Sequence, residues 1–295
     1  MQHSRQEIVG IVAALVTIFA PNILSADTVT LIPTEDATIS EKSLDIPLGG
    51  QPTLDSGTTG PNEGLKMNRA LLKFNVAANI PTNATVTSAT LTTTVVQAPT
   101  TTGLWFSLHK ILQGWSESAV TWTNRLSPAA PWSAPGGEEG PDYSSLVTQS
   151  NLITGTGTFA FASNSNLVAD VQDWVSNPVT NSGWILICDQ EDLERSVRKF
   201  ASRETSYATN RPSLEVQFTR PFPPTLTVIP MTNGNFQFFF NAESNRNYLV
   251  LYGGDCATTN WAVLKNITPL LAPTNVLVSE PLLTNSNRFY RVLAL

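Results

Sequence analysis

Apolar residues along this chain come in short runs, many alternating with Thr, Ser or Asn, and Gly, Pro, Asn or Asp closes most runs. A period of two marks a half-buried β-strand. Strands are accordingly predicted at Val29–Ile32, Asp36–Ile39, Ala70–Phe74, Ala84–Val96, Leu104–Ile111, Thr158–Phe161 and Trp184–Cys188, and over 197–201 and 213–218. Within 84–96 the alternation sets Ala89, Leu91, Thr93 and Val95 on one face. Two stretches, 41–64 and 124–145, carry many turn-forming residues and no period, so they are predicted as long loops, the second holding Trp132. A single helix is predicted where Leu167, Val171, Trp174 and Val175 share one face. Asp170 and Asp173 are its expected capping pair, and Asn177-Pro178 its stop.

Arg220-Pro-Phe-Pro-Pro224 reads as a stiff linker. After it, Phe236, Phe238 and Phe240 alternate onto one face, and further strands are predicted at Tyr248–Tyr252, Trp261–Leu264, Asn275–Val278 and Arg288–Val292. At about seventy residues this second unit is near the lower size for independent folding, and a small immunoglobulin- or fibronectin-like sandwich fits that length. The pattern predicts an all-β chain: a sandwich or barrel with one short helix over 27–219, a linker at 220–224 and a small β-sandwich over 225–295.

Residues 1–26 read as a secretory signal, with Arg5 ahead of an uncharged apolar run from Ile8 to Ala20 and small residues at Ser25-Ala26. That run is short for a membrane anchor, the alternative reading. The expected mature protein is secreted, extracellular or at the cell surface, with no membrane span after cleavage. Of the two cysteines, Cys188 ends an apolar strand and Cys256 lies in a Gly-rich loop; both a bridge between the units and two separate thiols remain open. A net charge of −6 argues against a nucleic-acid partner, because phosphate binding needs a basic surface.

Several blocks resemble the DNRLRE domain family. They are Asn68-Arg-Ala-Leu-Leu-Lys-Phe-Asn75, Ala84-Thr-Val-Thr-Ser-Ala-Thr-Leu91, Trp115-Ser-Glu-Ser-Ala-Val-Thr-Trp122, Asp170-Val-Gln-Asp-Trp174, Gly183-Trp184 and Phe200-Ala-Ser-Arg-Glu204. The resemblance implies a jelly-roll β-sandwich related to carbohydrate-binding module family 96, whose characterised relatives bind alginate-type acidic polysaccharides. Trp261 and Arg288-Phe-Tyr-Arg-Val292 resemble the small β domain often attached to such proteins.

The residues themselves offer little for catalysis. Outside the signal only His109 remains, in mid-strand, and the carboxylate pairs Glu138-Glu139 and Glu191-Asp192 read as solvated loop charges. Binding of an acidic sugar fits better, since Arg meets a carboxylate as a fork and Lys as a point charge. Arg195, Arg198, Lys199 and Arg203 cluster within nine positions, and Arg69 and Lys73 share a strand face. The expected ligand residues are Arg69, Lys73, Arg198, Lys199 and Arg203, with Trp132 as the ring on which a sugar stacks. Arg203 and Glu204 have an alternative reading as a structural ion pair. No cofactor is expected beyond a structural calcium, for which Glu35 and Asp36 are the candidate donors. The expected function is a non-catalytic carbohydrate-binding protein with an anionic polysaccharide partner. An adhesive surface protein and a polysaccharide lyase or hydrolase are the alternatives.

Overall fold

The structure, a computed structural model, describes residues 26–220, 224–232, 235–243, 246–254, 260–281 and 288–294. The signal segment, Cys256 and part of the linker lie outside them. Over 26–219 the chain forms thirteen strands and one α-helix: β1 (Ala26–Leu31), β2 (Glu35–Ser40), β3 (Thr53–Thr58), β4 (Met67–Lys73), β5 (Thr85–Gln97), β6 (Leu104–Ile111), β7 (Asn124–Leu126), β8 (Ala130–Pro131), β9 (Tyr143–Ile153), β10 (Gly157–Phe161), α1 (Ser165–Ser176), β11 (Trp184–Cys188), β12 (Arg198–Ala201) and β13 (Ser213–Thr219). The all-β reading holds.

One curled antiparallel sheet runs in the order β1-β13-β5-β12-β3-β4-β11-β6-β9, with β10 added to β5 and β2 to β4. It folds on itself into two layers. Leu91 pairs with both Leu214 and Phe161, and Val95 with both Gly157 and Phe200. Strands β13 and β12 therefore follow one another along one edge of β5, and β10 takes the other edge. The layers join through β3, whose first residues pair with β12 and whose last two pair with β4. Gly57 sits at that change of partner with φ 102°, and a Cβ there would lie 2.8 Å from the backbone of Ser196 and Val197. Only glycine lets the strand cross so close to the neighbouring loop.

Between the layers lies the main core. Ala70, Leu72 and Phe74 meet Phe106, Leu108, Trp184 and Leu186 from one layer, Leu91, Val95, Phe200 and Val216 from the other, and Leu167, Val171 and Trp174 from the helix. The intervening residues Leu71, Ile185 and Ile187 point the opposite way, into a second core with Ala37, Ile39, Trp115, Trp122, Trp132 and Tyr143. The layer containing β4 and β11 is thus covered on both faces. That is why Ala70–Leu72 and Trp184–Cys188 are continuous apolar runs rather than alternating ones.

Three sequence expectations are corrected. Strand β3 crosses the stretch predicted as a loop at 41–64; it forms by pairing with β12 and β4, and shows no apolar period because Leu54 is its sole large apolar residue. The region 124–145 is a packed cover with a small β7–β8 hairpin, and β9 begins inside it. The helix is capped by Asn164, whose side chain accepts from the Leu167 amide at 2.7 Å. Asp170 lies inside the helix instead and accepts from the Trp184 indole at 2.9 Å and the Thr148 hydroxyl at 2.7 Å.

Beyond residue 224, β14 (Leu226–Thr232), β15 (Asn235–Ala242) and β18 (Thr274–Pro281) form one antiparallel sheet. Strands β16 (Tyr248–Gly253), β17 (Ala262–Ile267) and β19 (Phe289–Ala294) form another. Phe238, Phe240, Tyr248, Val250, Ile267 and Val292 pack between them as a separate core. Among the described residues no helix is long and apolar enough to cross a membrane.

Gly183 precedes β11 with φ 75°, and a Cβ there would fall 2.1 Å from the Leu72 carbonyl oxygen. Gly183→Ala should therefore destabilise the protein by more than about 2 kcal/mol in urea unfolding. Gly50→Ala, where a Cβ meets nothing within 4 Å, should change little.

Candidate functional site

The structure separates the basic residues that the sequence groups together. Arg69 projects from β4 into the outer core. Its guanidinium grips Glu191 with two bonds of 2.9 and 2.7 Å and donates to the carbonyls of Gly136 and Gly137, both at 3.0 Å. It also lies 5.9 Å from the Trp122 ring centre and 5.8 Å from that of Tyr143. Burial works against its charge, but the Glu191 carboxylate more than offsets this and holds the guanidinium above its ordinary pKa. Arg69 pins the 124–142 cover and the 189–196 loop to the sheet. Lys73 pairs with Glu35 at 3.0 Å.

Arg198 is fully buried, because alternation along β12 turns it inward. Its guanidinium caps the carbonyls of Ser196 and Val197 at 3.1 Å and Thr102 at 2.7 Å, and burial lowers its pKa. Trp132 is also buried, with its indole donating to the Thr121 carbonyl at 3.0 Å. Neither expectation of surface contact survives: both side chains are committed to the interior. His109 is packed against Tyr143, with Nδ1 2.9 Å from the Ser144 carbonyl. Cys188 is buried in the main core, which pushes its thiol pKa up.

Arg203 belongs to a carboxylate knot. It forks Glu117 with bonds of 3.0 and 2.5 Å and meets Glu204 at 2.8 Å, while its backbone amide donates to Asp36 at 2.8 Å. Of the two predicted metal donors, Glu35 stays with Lys73. Asp36, Glu117 and Glu204 bring carboxylate oxygens within 4.8 Å of one another. Arg203 supplies the positive charge they share. Asp36 is 1% exposed, and burial pushes its pKa up to about 8, with the neighbouring Glu204 and Glu117 charges adding to the rise.

Polar side chains with room for a ligand gather elsewhere, in a groove over β3 and β12. Leu54 and Phe200 face the core, so their neighbours Asp55 and Lys199 face away from it. These two are register partners and form an ion pair of 3.3 Å. Burial raises the Asp55 pKa while Lys199 draws it down, and the net direction is upward. Two adjoining lobes, of about 190 and 310 Å³, share Asp55, Thr59, Glu63 and Lys199. The smaller is also lined by Arg195, Gln97 and Pro99, and the larger by Lys42, Gln51 and Asn68.

Arg195 is held at φ 60°, a region disfavoured for a residue with a Cβ, and its amide donates to the Thr59 carbonyl at 3.3 Å. Such strain concentrates at functional sites. Among the described residues the Arg195 guanidinium and the Lys42 ammonium enter no ion pair. Of the sequence-predicted residues, only Lys199 lines the groove. Arg195 was visible in the basic cluster. Lys42 and Asp55 were hidden in a stretch that shows no strand period.

Residues 27–134 match the model of carbohydrate-binding module family 96, so the N-terminal sandwich carries a domain related to that family. The match supports a carbohydrate-binding role. No curated protein matches the chain.

Two measurements check this description. Arg69→Met should cost roughly 3–5 kcal/mol of stability by leaving Glu191 buried and unpaired, and adding Glu191→Leu should recover part of it in a double-mutant cycle. Asp36 has a folded pKa above its unfolded value, so its contribution to stability is complete below about pH 4. It declines as the pH rises and is lost once the pH passes about 8. Thermal melts should show Asp36→Asn gaining on the wild type between pH 5 and pH 9. Parallel curves would contradict the assignment.

Proposed function

We propose that this protein is an exported, non-catalytic carbohydrate-binding protein that takes acidic polysaccharide of the alginate type in the groove over β3 and β12. The observation that carries the reading is the match of residues 27–134 to a carbohydrate-binding family, together with a groove where hydroxyl, amide and charged side chains stand among a few apolar ones such as Leu48, Pro99 and Val197. Sugars are held by such groups, and a uronate carboxylate adds a target for Arg and Lys. The chain carries a net charge of −6, yet the groove gathers Lys42, Arg195 and Lys199 against Asp55 and Glu63. Its local balance is therefore opposite in sign to that of the whole chain.

The secretory reading of residues 1–26 supports this, since an exported protein meets polysaccharides outside the cell. A shallow site of this kind gives modest affinity per site, since little surface is removed from water.

Affinity electrophoresis of the mature protein in gels containing alginate, and in gels containing an uncharged mannan, tests the reading. Retardation should be strong in alginate and should fall in about 1 M salt, where screening shortens the reach of charge to about 3 Å. Lys199→Ala should weaken it severalfold. Retardation by alginate that survives molar salt unchanged would remove the charge argument, and the appearance of unsaturated products or new reducing ends would replace binding with lyase or hydrolase chemistry.

A further inference from the structure

We infer that the groove is a two-lobed site for an acidic oligosaccharide at least two sugars long. The ligand's charged groups would sit on Arg195 in one lobe and Lys42 in the other, with a hydroxyl-bearing stretch over the Asp55–Lys199 pair between them. The inference rests on the carbohydrate reading of this groove and adds to it the length and charge pattern of the ligand.

The lining residues set the order of charge along the groove. Asp55, Thr59, Glu63 and Lys199 belong to both lobes, so they stand where the lobes meet. Lys199 is held by Asp55 at 3.3 Å, and Glu63 adds a second carboxylate. The middle of the groove thus carries one cation and two anions. A ligand carboxylate placed there would face like charge, which discriminates against that register. Free positive charge stands only toward the ends: Arg195 lines one lobe alone, and Lys42 the other alone.

Both ends are built to stay in place. The left-handed backbone at Arg195 carries its side chain alongside Gly60, where a Cβ would come within 3.4 Å of Cγ. At the other end, the Lys42 amide donates to the Ser40 hydroxyl at 3.1 Å, fixing the turn after β2. The middle offers what a neutral ring segment needs: the Thr59 hydroxyl with the Asp55 carboxylate and the Lys199 ammonium, and next to them, in the larger lobe, the Thr53 hydroxyl 3.5 Å from Asp55. A monosaccharide can engage one end cation at a time. A longer acidic chain engages both, and the second contact then forms at high effective concentration.

Isothermal titration of the mature full-length protein with mannuronate, its trimer and uncharged mannotriose tests this. The acidic trimer should bind at least about thirtyfold more tightly than the monomer and at least about tenfold more tightly than mannotriose. Arg195→Ala and Lys42→Ala should each weaken trimer binding by about tenfold, and Arg195→Lys should restore most of the loss. Both positions are exposed, and circular dichroism melts check that the variants fold. Asp55→Asn, which removes a central negative charge and releases Lys199, should tighten the trimer. If Lys42→Ala or Arg195→Ala leaves trimer binding unchanged, or the monomer binds as tightly as the trimer, the two-lobed site is overturned while carbohydrate binding stands. If none of the three sugars binds, the functional reading of the groove fails with it.

Discussion

A β-layer that is apolar on both faces has to be covered twice, and most of this protein's architecture follows from that requirement. The layer of β2, β4, β11, β6 and β9 presents Leu72, Phe106 and Trp184 to one side and Leu71, Ile185 and Ile187 to the other. The inner side is covered by the second layer and by α1. Among the described residues the outer side is met by no strands except the small β7–β8 hairpin. It is closed by the segment after β6, whose Trp115, Trp122 and Trp132 replace a sheet with indole rings. A cover with so little regular structure needs a tether, and Arg69 provides it by bonding the Gly136 and Gly137 carbonyls while pairing with Glu191. The charge is worth burying because four of the five N–H donors of the guanidinium meet acceptors, two of them on the Glu191 carboxylate.

The same logic explains why so few cations are left for a ligand. In a chain with 17 basic and 23 acidic side chains, carboxylates outnumber the groups that can neutralise them. Lys73, Lys110, Lys199 and Arg203 are each drawn into an ion pair. Around Asp36 the imbalance is local and severe, with three carboxylates set about one guanidinium, and burial of Asp36 is met by retaining a proton rather than by a second cation. Binding chemistry is left to the groove where β3 passes from one layer to the other. That crossing opens the surface, and the turns on either side of it carry Arg195 and Lys42.

Alternation was readable wherever one face of a strand met the core and the other met water, as in β5 and β13. It failed where packing was two-sided or nearly polar. Strand β3 gave no signal, because Ser56 and Thr58, both buried, follow Leu54 where a half-buried strand would carry branched apolar residues. The helix stripe was legible but its cap was not: Asn164 and Asp170 are both good capping residues, and the choice fell to Asn164 once Trp184 and Thr148 engaged the Asp170 carboxylate. Trp132 looked like a loop indole because nothing in its neighbourhood along the chain shows that it joins one core with Ile185 and Leu71.

By itself, the sequence determined the all-β class, the short helix, the buried Trp174 and Trp184, and the kinship with a carbohydrate-binding family, because these depend on period and on short local blocks. The tertiary structure alone decided which charged groups are free. Arg195, Arg198, Lys199 and Arg203 are near neighbours along the chain, yet one is an interior cap, one joins a carboxylate knot and two face the groove. Partners such as Glu117 and Asp55 come from strands and loops far away in sequence, and the electrostatics of a side chain depend on which of them folding brings within a few ångströms.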